Sequence, residues 1–298
     1  MKRLVYSLAI LSILLFACNI STPVTPPVVI PASVVSETPT VTEILPMTET
    51  PTVTETSTAA ETPTVTETPV PQTNINCYEL SLFLEPALAS GFSCQAVPET
   101  GGPNNPGLEV NPEYTELSLS GYVLSGRFFT PKISVYPVQR FSELLPDALP
   151  PKVAALQALI GGGPTGDKGL PFLPNFNAGQ EFFAQYKVTS FGSGNGIRYL
   201  TQYSQYFDPI NNHEMFYTFQ GLTSNGKYWI SAILPISNPI LPADGNNPPN
   251  GQSWDDFGNN YPKYIADLTT QLNSQVSENY SPAITMLDAL VASIRIKP

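Results

Sequence analysis

The chain is poor in the residues on which many enzyme centres depend. It has one histidine, His213, and three cysteines among 298 residues. Ser-His-Asp hydrolysis would have to use that single imidazole, and no Gly-x-Ser-x-Gly motif surrounds any serine. The same scarcity disfavours a metal site built from cysteine and histidine. The composition therefore argues against the common nucleophilic and zinc chemistries.

Basic residues are also few, because 13 lysines and arginines stand against 24 aspartates and glutamates, a net charge of −11. Lys2, Arg3 and six of the glutamates precede residue 74. Residues 74–298 therefore carry 11 basic and 18 acidic side chains, a net charge of −7. A domain of that sign does not attract nucleic acid or anionic lipid. We expect no nucleic-acid partner.

The amino terminus holds the one long apolar run, Leu4–Phe16, which follows Lys2 and Arg3. About a dozen apolar residues are too few to cross a bilayer as a helix, and they suit the core of a secretion signal. We predict a signal peptide over residues 1–17.

The predicted signal peptide ends in Leu15-Phe16-Ala17-Cys18, which resembles the bacterial lipobox. A branched aliphatic residue lies three before the cysteine and a small residue directly before it, whereas Phe16 departs from the small or β-branched residue that is usual there. The resemblance implies a diacylglycerol thioether on Cys18, which would become the first residue of the mature chain. Several acyl chains anchor a protein durably, so we expect the extracytoplasmic face of the cell membrane. The alternative is a plain secretion signal.

Residues 18–73 contain no lysine or arginine after the cysteine, and Thr, Pro, Val and Glu dominate them. The segment Glu-Thr-Pro-Thr-Val-Thr-Glu begins at Glu37, Glu49 and Glu61, a period of twelve. Such a composition cannot bury enough apolar surface to offset the entropy of ordering. We predict a disordered, extended linker that lifts the domain off the membrane. A flexible tail with no length requirement is the alternative.

The two remaining cysteines, Cys77 and Cys94, form an even pair in an exported chain, which favours a disulfide. A loop of that length should stabilise the fold by roughly 3 kcal/mol in the chain-entropy model. Two buried free thiols are the alternative.

Residues 74–298 are predicted to form a single α+β domain. Gly196–Ile236 predicts three successive strands, with a hairpin turn at Ser224-Asn225-Gly226 because Asn-Gly accepts positive φ. Ile197, Tyr199, Thr201, Tyr203 and Phe207 fall on one parity, and Arg198, Gln202 and Ser204 fall on the other. This alternation predicts a sheet with one buried face. In total we expect an antiparallel sheet of about seven or eight strands, with about three helices packed on it.

Three further features of this domain can be predicted. Tyr78–Leu84 and Gly91–Val97 alternate and predict an amino-terminal hairpin. Pro262 suits the first turn of a helix over Pro262–Gln275. Ser281 followed by Pro282 predicts the start of the last helix.

Two stretches carry a resemblance to PsbP/Mog1-like domains: the closing MLDALVASIRI and the opening SLFLEPALASG. The resemblance covers about a third of the domain and implies an α+β fold. Tyr199–Tyr203 and Phe216–Gly221 are also similar in wording to a group of uncharacterised lipoprotein ectodomains. That group implies no activity.

The loop after Asn238 and the helix that follows it concentrate acidic and aromatic residues. Its carboxylates, with Asn246 and Asn250, could supply oxygen ligands to Ca²⁺, although the spacing matches no EF-hand. Trp254 beside these acids could form an aromatic platform for a sugar or a peptide. A solvated loop and a core tryptophan are the alternatives, and no other cofactor is expected. The candidate binding residues are Asp244, Trp254, Asp255, Asp256 and His213.

The sequence thus favours a non-enzymatic, lipid-anchored module outside the cytoplasm, with a structural or binding role towards a cell-surface polymer or protein. The alternative is an extracellular, glycosidase-like hydrolase, which needs only two opposed carboxylates. A subunit of a larger surface assembly is a third possibility.

Overall fold

The computed structural model describes residues 73–101, 109–166 and 169–297. The predicted signal peptide, the lipidation site Cys18 and the predicted linker up to residue 72 lie outside the described residues. The described chain is α+β, as predicted, with a seven-stranded antiparallel sheet and four α-helices. None of these helices combines the length and apolarity needed to cross a membrane.

The elements follow one another along the chain with short strands at both ends. The strands are β1 (Ile75–Cys77), β2 (Leu80–Leu82), β3 (Ala89–Val97), β4 (Tyr114–Tyr122), β5 (Lys132–Pro137), β6 (Gly179–Gln180), β7 (Ala184–Phe191), β8 (Gly194–Thr201), β9 (Tyr203–Ser204), β10 (Phe216–Thr223), β11 (Tyr228–Pro235) and β12 (Arg295–Ile296). The helices are α1 (Val138–Leu144), α2 (Leu149–Ile160), α3 (Trp254–Ser274) and α4 (Ile284–Ser293).

The main sheet has the strand order β3-β4-β5-β11-β10-β8-β7, with β10 and β11 near its centre. Phe219 lies opposite Ala232 in that central pair. The predicted hairpin between them is confirmed: Gly226 has a φ of 70°, and its N–H donates to the carbonyl of Thr223 at 2.8 Å. The side chain of Asn225 accepts a hydrogen bond from the N–H of Lys227 and closes the turn.

The prediction of one buried sheet face is wrong, because both faces are covered. Helices α3 and α4 pack on one face and α1 and α2 on the other. Arg198, on the parity expected to face solvent, is only 8% exposed. Its guanidinium pairs with Asp288 of α4 at 3.3 Å. The covering helices come from distant parts of the chain, so the alternation within β8 alone could not reveal them.

The Cys77–Cys94 disulfide is present, as predicted, and joins β1 to β3. The predicted amino-terminal hairpin is wrong, however. Strand β2 pairs with β1 and with the carboxy-terminal β12, whereas β3 is an edge strand of the main sheet and pairs with β4. Leu80 and Leu82 are both fully buried, since this small sheet packs under α4. The disulfide therefore links two sheets.

Two helix starts also differ from prediction. Helix α3 begins at Trp254, eight residues before Pro262, because Ser253 caps it by accepting the N–H of Asp256 at 3.1 Å. Pro262 lies inside that helix. Helix α4 begins after Ala283, and the backbone of Ser281 instead bridges to Ser237. Helix α1 was not predicted.

A buried glutamine, Gln220 of β10, ties the sheet to the segment before β6. Its Oε1 accepts the N–H of Leu173 at 3.1 Å and the indole N–H of Trp229 at 2.8 Å. Its Nε2 donates to Thr218 at 2.8 Å, to Ser231 at 3.0 Å and to the carbonyl of Leu173 at 3.2 Å. Gln220 is fully buried, so these bonds fix where the segment lies.

Replacing Gln220 by leucine should destabilise the protein strongly. The N–H of Leu173 and the indole N–H of Trp229 would lose their acceptor while buried, at about 1–3 kcal/mol each. We expect the free energy of unfolding to fall by about 2–5 kcal/mol in urea titrations of the full chain. The exposed Gln139→Leu is the matched control and should change it by less than about 0.5 kcal/mol. Equal effects of the two substitutions would contradict this role of Gln220.

Candidate functional site

A cleft of about 1040 Å³ opens where the β6–β9 pair meets the beginning of α3. Aromatic and polar side chains of both regions line it. They include Phe176, Asn177, Glu181, Tyr206, Phe207 and Trp254. The cleft is larger than two other cavities at the described residues, which measure about 520 Å³ and about 250 Å³.

Three aromatic rings on the cleft are strongly exposed: Tyr206 at 77%, Phe207 at 62% and Trp254 at 49%. Two of them rest on buried rings. Trp254 packs edge-on against Phe257, with ring centroids 6.0 Å apart, and Phe207 lies against Tyr261 at 5.0 Å. Their orientation is therefore set by the core.

Local hydrogen bonds shape the turn that presents Tyr206 and Phe207. The hydroxyl of Ser204 donates to the carboxylate of Asp208 at 2.5 Å and accepts the N–H of Tyr206 at 3.1 Å. Across the cleft rim, the side-chain amide of Gln205 donates to the carbonyl of Asn177 at 2.7 Å. These bonds hold the two chain segments of the rim together.

Among the described residues that line the cleft, Glu181 is the one carboxylate. The hydroxyl of Tyr261 donates to its Oε2 at 2.6 Å, and its Oε1 accepts no hydrogen bond from the described residues. Burial raises the pKa of the Glu181 carboxyl, the hydrogen bond from Tyr261 opposes this, and the nearby charge of Asp208 adds to the rise. The site thus offers one half-buried acceptor beside exposed rings.

A second cavity of about 520 Å³ adjoins the cleft, because Phe176 and Ala178 line both. Its Lys152 donates to the side chain of Asn175 and to the carbonyl of Phe172. Burial lowers the pKa of the Lys152 ammonium group. The wall between the two cavities belongs to the segment that Gln220 fixes. The two cavities are therefore neighbours with a shared wall.

Of the candidate residues from the sequence, only Trp254 is among the described residues that line the cleft. Asp255 and Asp256 lie in the first turn of α3, where Asp256 accepts the hydroxyl of Ser253 at 2.7 Å. Asp244 accepts the N–H of Asn246 at 3.1 Å in its own loop.

His213 lies elsewhere. The centroid of its ring is 6.1 Å from that of Phe128, and its backbone N–H donates to the side-chain oxygen of Asn211. Across the described ranges, no three residues of the types His, Cys, Asp and Glu are grouped so as to hold a metal ion. Calcium binding at the acidic loop therefore stays a prediction without added support.

Tyr206 and Gln205 are site residues that no alternation or spacing predicts, and the alternation predicts a buried face for Phe207, which is 62% exposed. That prediction is wrong because β8 ends at Thr201 and the chain then turns. A usable signal was present: two aromatic residues directly before Asp208-Pro209 lie at a turn, where rings have no strand face to bury them.

The environment of Glu181 should make stability depend on pH. Its pKa is raised on folding, so above the ordinary value the unfolded carboxyl ionises while the folded one still holds its proton. Stability is therefore lost as the pH rises through that range. Glu181→Gln removes this loss, so we expect the difference in free energy of unfolding, variant minus wild type, to be larger at pH 7 than at pH 4.

Urea unfolding of both proteins at the two pH values measures this difference. The exposed Glu85→Gln is the control and should give the same difference at both. A difference for Glu181→Gln that is constant, or larger at pH 4, would contradict the assigned burial.

Comparison with known proteins leaves the function to be argued from this geometry. No protein-family model matches the chain, and no curated protein or solved structure matches it. The resemblances to the lipobox, to PsbP/Mog1-like domains and to lipoprotein ectodomains therefore stay predictions. What the described residues offer is a cleft with an adjoining cavity in an α+β domain, with exposed rings and one carboxylate oxygen that accepts no hydrogen bond from them.

Proposed function

We propose that this protein is a lipid-anchored module on the extracytoplasmic face of the membrane, which binds a cell-surface ligand in the aromatic cleft. The observation that carries the proposal is the gathering of Tyr206, Phe207 and Trp254, all strongly exposed, around one concavity. Single exposed apolar side chains are normal on protein surfaces, whereas contiguous exposed apolar patches mark interaction sites.

The cleft is built in advance of any ligand. Trp254 and Phe207 rest on the buried rings of Phe257 and Tyr261, and Gln205 bonds the two sides of the rim. A ligand would therefore meet rings that are already ordered, which lowers the entropic cost of binding. Such preorganisation supports binding as the role of the cleft.

The dimensions favour an elongated ligand. Small-molecule pockets commonly measure about 300–1,000 Å³ and enclose most of their ligand. The cleft of about 1040 Å³ lies at the upper end of that range, and the adjoining cavity of about 520 Å³ adds further room. A chain that lies along the surface fits this shape better than a compact small molecule.

The amino-terminal features support the location. The run ending at Cys18 supplies the lipid attachment, and residues 18–73 would reach roughly 170 Å at about 3.1 Å per residue if fully extended. A domain on such a linker could meet polymers well above the membrane. The membrane is then a partner through the anchor.

A glycosidase is the second candidate, favoured by the raised pKa of the Glu181 carboxyl in a ring-lined cleft. A general acid needs such a carboxyl, but hydrolysis also needs an opposed carboxylate. The nearest candidate, Asp208, accepts the hydroxyl of Ser204 and is not among the residues that line the cleft. Binding is therefore the better-supported role.

Removal of the lipidation site tests the anchor. Cys18→Ala should abolish acylation and cleavage before residue 18, because only the cysteine thiol can form the thioether. Intact-mass spectrometry of membrane and soluble fractions measures both. The double variant Cys77→Ala/Cys94→Ala is the matched control and should keep the lipid. The same membrane-bound mature chain from Cys18→Ala would contradict the anchor.

Truncation of an exposed ring tests the cleft. Trp254→Ala should weaken the affinity of the purified full chain for detergent-extracted envelopes from cells that lack this protein by at least about tenfold, since a ligand-covered tryptophan is commonly a dominant contact. The extraction removes the membrane lipid, so the anchor alone does not sediment the chain. Val276→Ala, which truncates an exposed apolar residue outside the cleft, should leave that affinity unchanged.

Two outcomes of this assay would contradict the proposal. Equal sedimentation of Trp254→Ala and wild type would remove the cleft from binding. Release of soluble fragments from the envelopes, lost in Glu181→Gln, would favour the hydrolase instead.

A further inference from the structure

We propose that the ligand of this cleft is a neutral glycan chain, whose sugar rings lie on Trp254, Tyr206 and Phe207. The inference rests on the proposed function and names its ligand class. It follows from three properties of the cleft: the exposed rings, the unpaired polar groups beside them and the absence of cationic side chains among the described residues that line it.

The exposed rings suit a pyranose. One side of such a sugar is a patch of C–H groups with slightly positive hydrogens, and the face of an aromatic ring is negative. Trp254 and Phe207 are oriented by the buried rings beneath them, and Tyr206 stands free at 77% exposure. Several ring faces in one groove provide positions for successive sugar units.

The polar groups of the cleft suit hydroxyls. Oε1 of Glu181 and the side-chain amide of Asn177 have no hydrogen-bond partner among the described residues, nor does the indole N–H of Trp254. The cleft thus offers unpaired acceptors and donors side by side. A sugar hydroxyl can donate and accept at once, so a glycan can satisfy these groups as it covers them.

Charge argues against other polymers. None of the eleven described residues that line the larger cleft is lysine or arginine, and residues 74–298 carry a net charge of −7. In the adjoining cavity, the ammonium group of Lys152 is already bonded to Asn175 and Phe172. Teichoic acids, uronates and nucleic acids would meet repulsion without a compensating cation.

A proline-rich peptide fits the rings but not the carboxylate. Proline has no backbone N–H, so such a peptide would cover Oε1 of Glu181 without donating to it, and an unpaired buried acceptor is costly. A lysine-rich peptide could pair with Glu181. Burial, however, raises the pKa of that carboxyl, whereas a site built for a cation would hold its carboxylate ionised.

The test titrates the purified full chain with neutral hexasaccharides, namely cellohexaose, xylohexaose, maltohexaose and N-acetylated chitohexaose, by isothermal titration calorimetry. The chain is kept in a polyoxyethylene detergent, because a detergent with a sugar headgroup could itself occupy the cleft. We expect at least one hexasaccharide to bind, and Trp254→Ala to weaken that binding by at least about tenfold. Tyr78→Ala, which removes an exposed ring outside the cleft, should leave the affinity unchanged.

Three parallel titrations with polygalacturonate, polyproline and polylysine decide among polymer classes. Trp254-dependent binding of a neutral hexasaccharide supports the inference. Failure of all four sugars overturns it, as does binding that Trp254→Ala leaves intact. Trp254-dependent binding of a peptide or of polygalacturonate alone overturns the neutral glycan as the ligand but leaves the cleft as a binding site. The two proposals can therefore fail separately.

Discussion

The buried side chain of Gln220 is the interaction on which the cleft depends. A glutamine at the centre of a sheet is tolerated only when its donors and acceptors are satisfied. Here its side-chain amide accepts a hydrogen bond from the backbone N–H of Leu173 and donates one to the carbonyl of the same residue. It also accepts the indole N–H of Trp229. The segment from Leu170 to Phe176 is thereby fixed on the sheet, and Phe176 forms the wall shared by the two cavities.

The other side of the cleft depends on where α3 begins. Because Ser253 caps the helix, Trp254 enters its first turn and packs on Phe257 one turn later. The next turn brings the ring of Tyr261 under Phe207, and the hydroxyl of Tyr261 donates a hydrogen bond to the carboxylate of Glu181. One helix thus orients two exposed rings and the carboxylate of Glu181, while its opposite end packs into the core with Leu268 and Leu272.

Sequence patterns predicted local structure better than the site. The β10–β11 hairpin and the Cys77–Cys94 disulfide were predictable because turn chemistry and cysteine parity are local signals. The start of α3 was predicted wrongly because Pro262 suits the first turn of a helix. Ser253 and Asp256, which form the capping pattern at the true start, were the better signal. The cleft joins residues from 176 to 258, and no alternation or spacing encodes that meeting.

We infer that a ligand outside the cytoplasm covers the exposed rings and leaves the core beneath them unchanged. The chain has two tryptophans, the half-exposed Trp254 and the fully buried Trp229, so an NMR spectrum of ¹⁵N-labelled protein should contain two indole N–H signals. During titration with a neutral hexasaccharide, we expect the chemical shift of the Trp254 indole signal to change and that of the Trp229 signal to stay the same. Movement of the Trp229 signal alone, or of neither signal at saturating sugar, would contradict it.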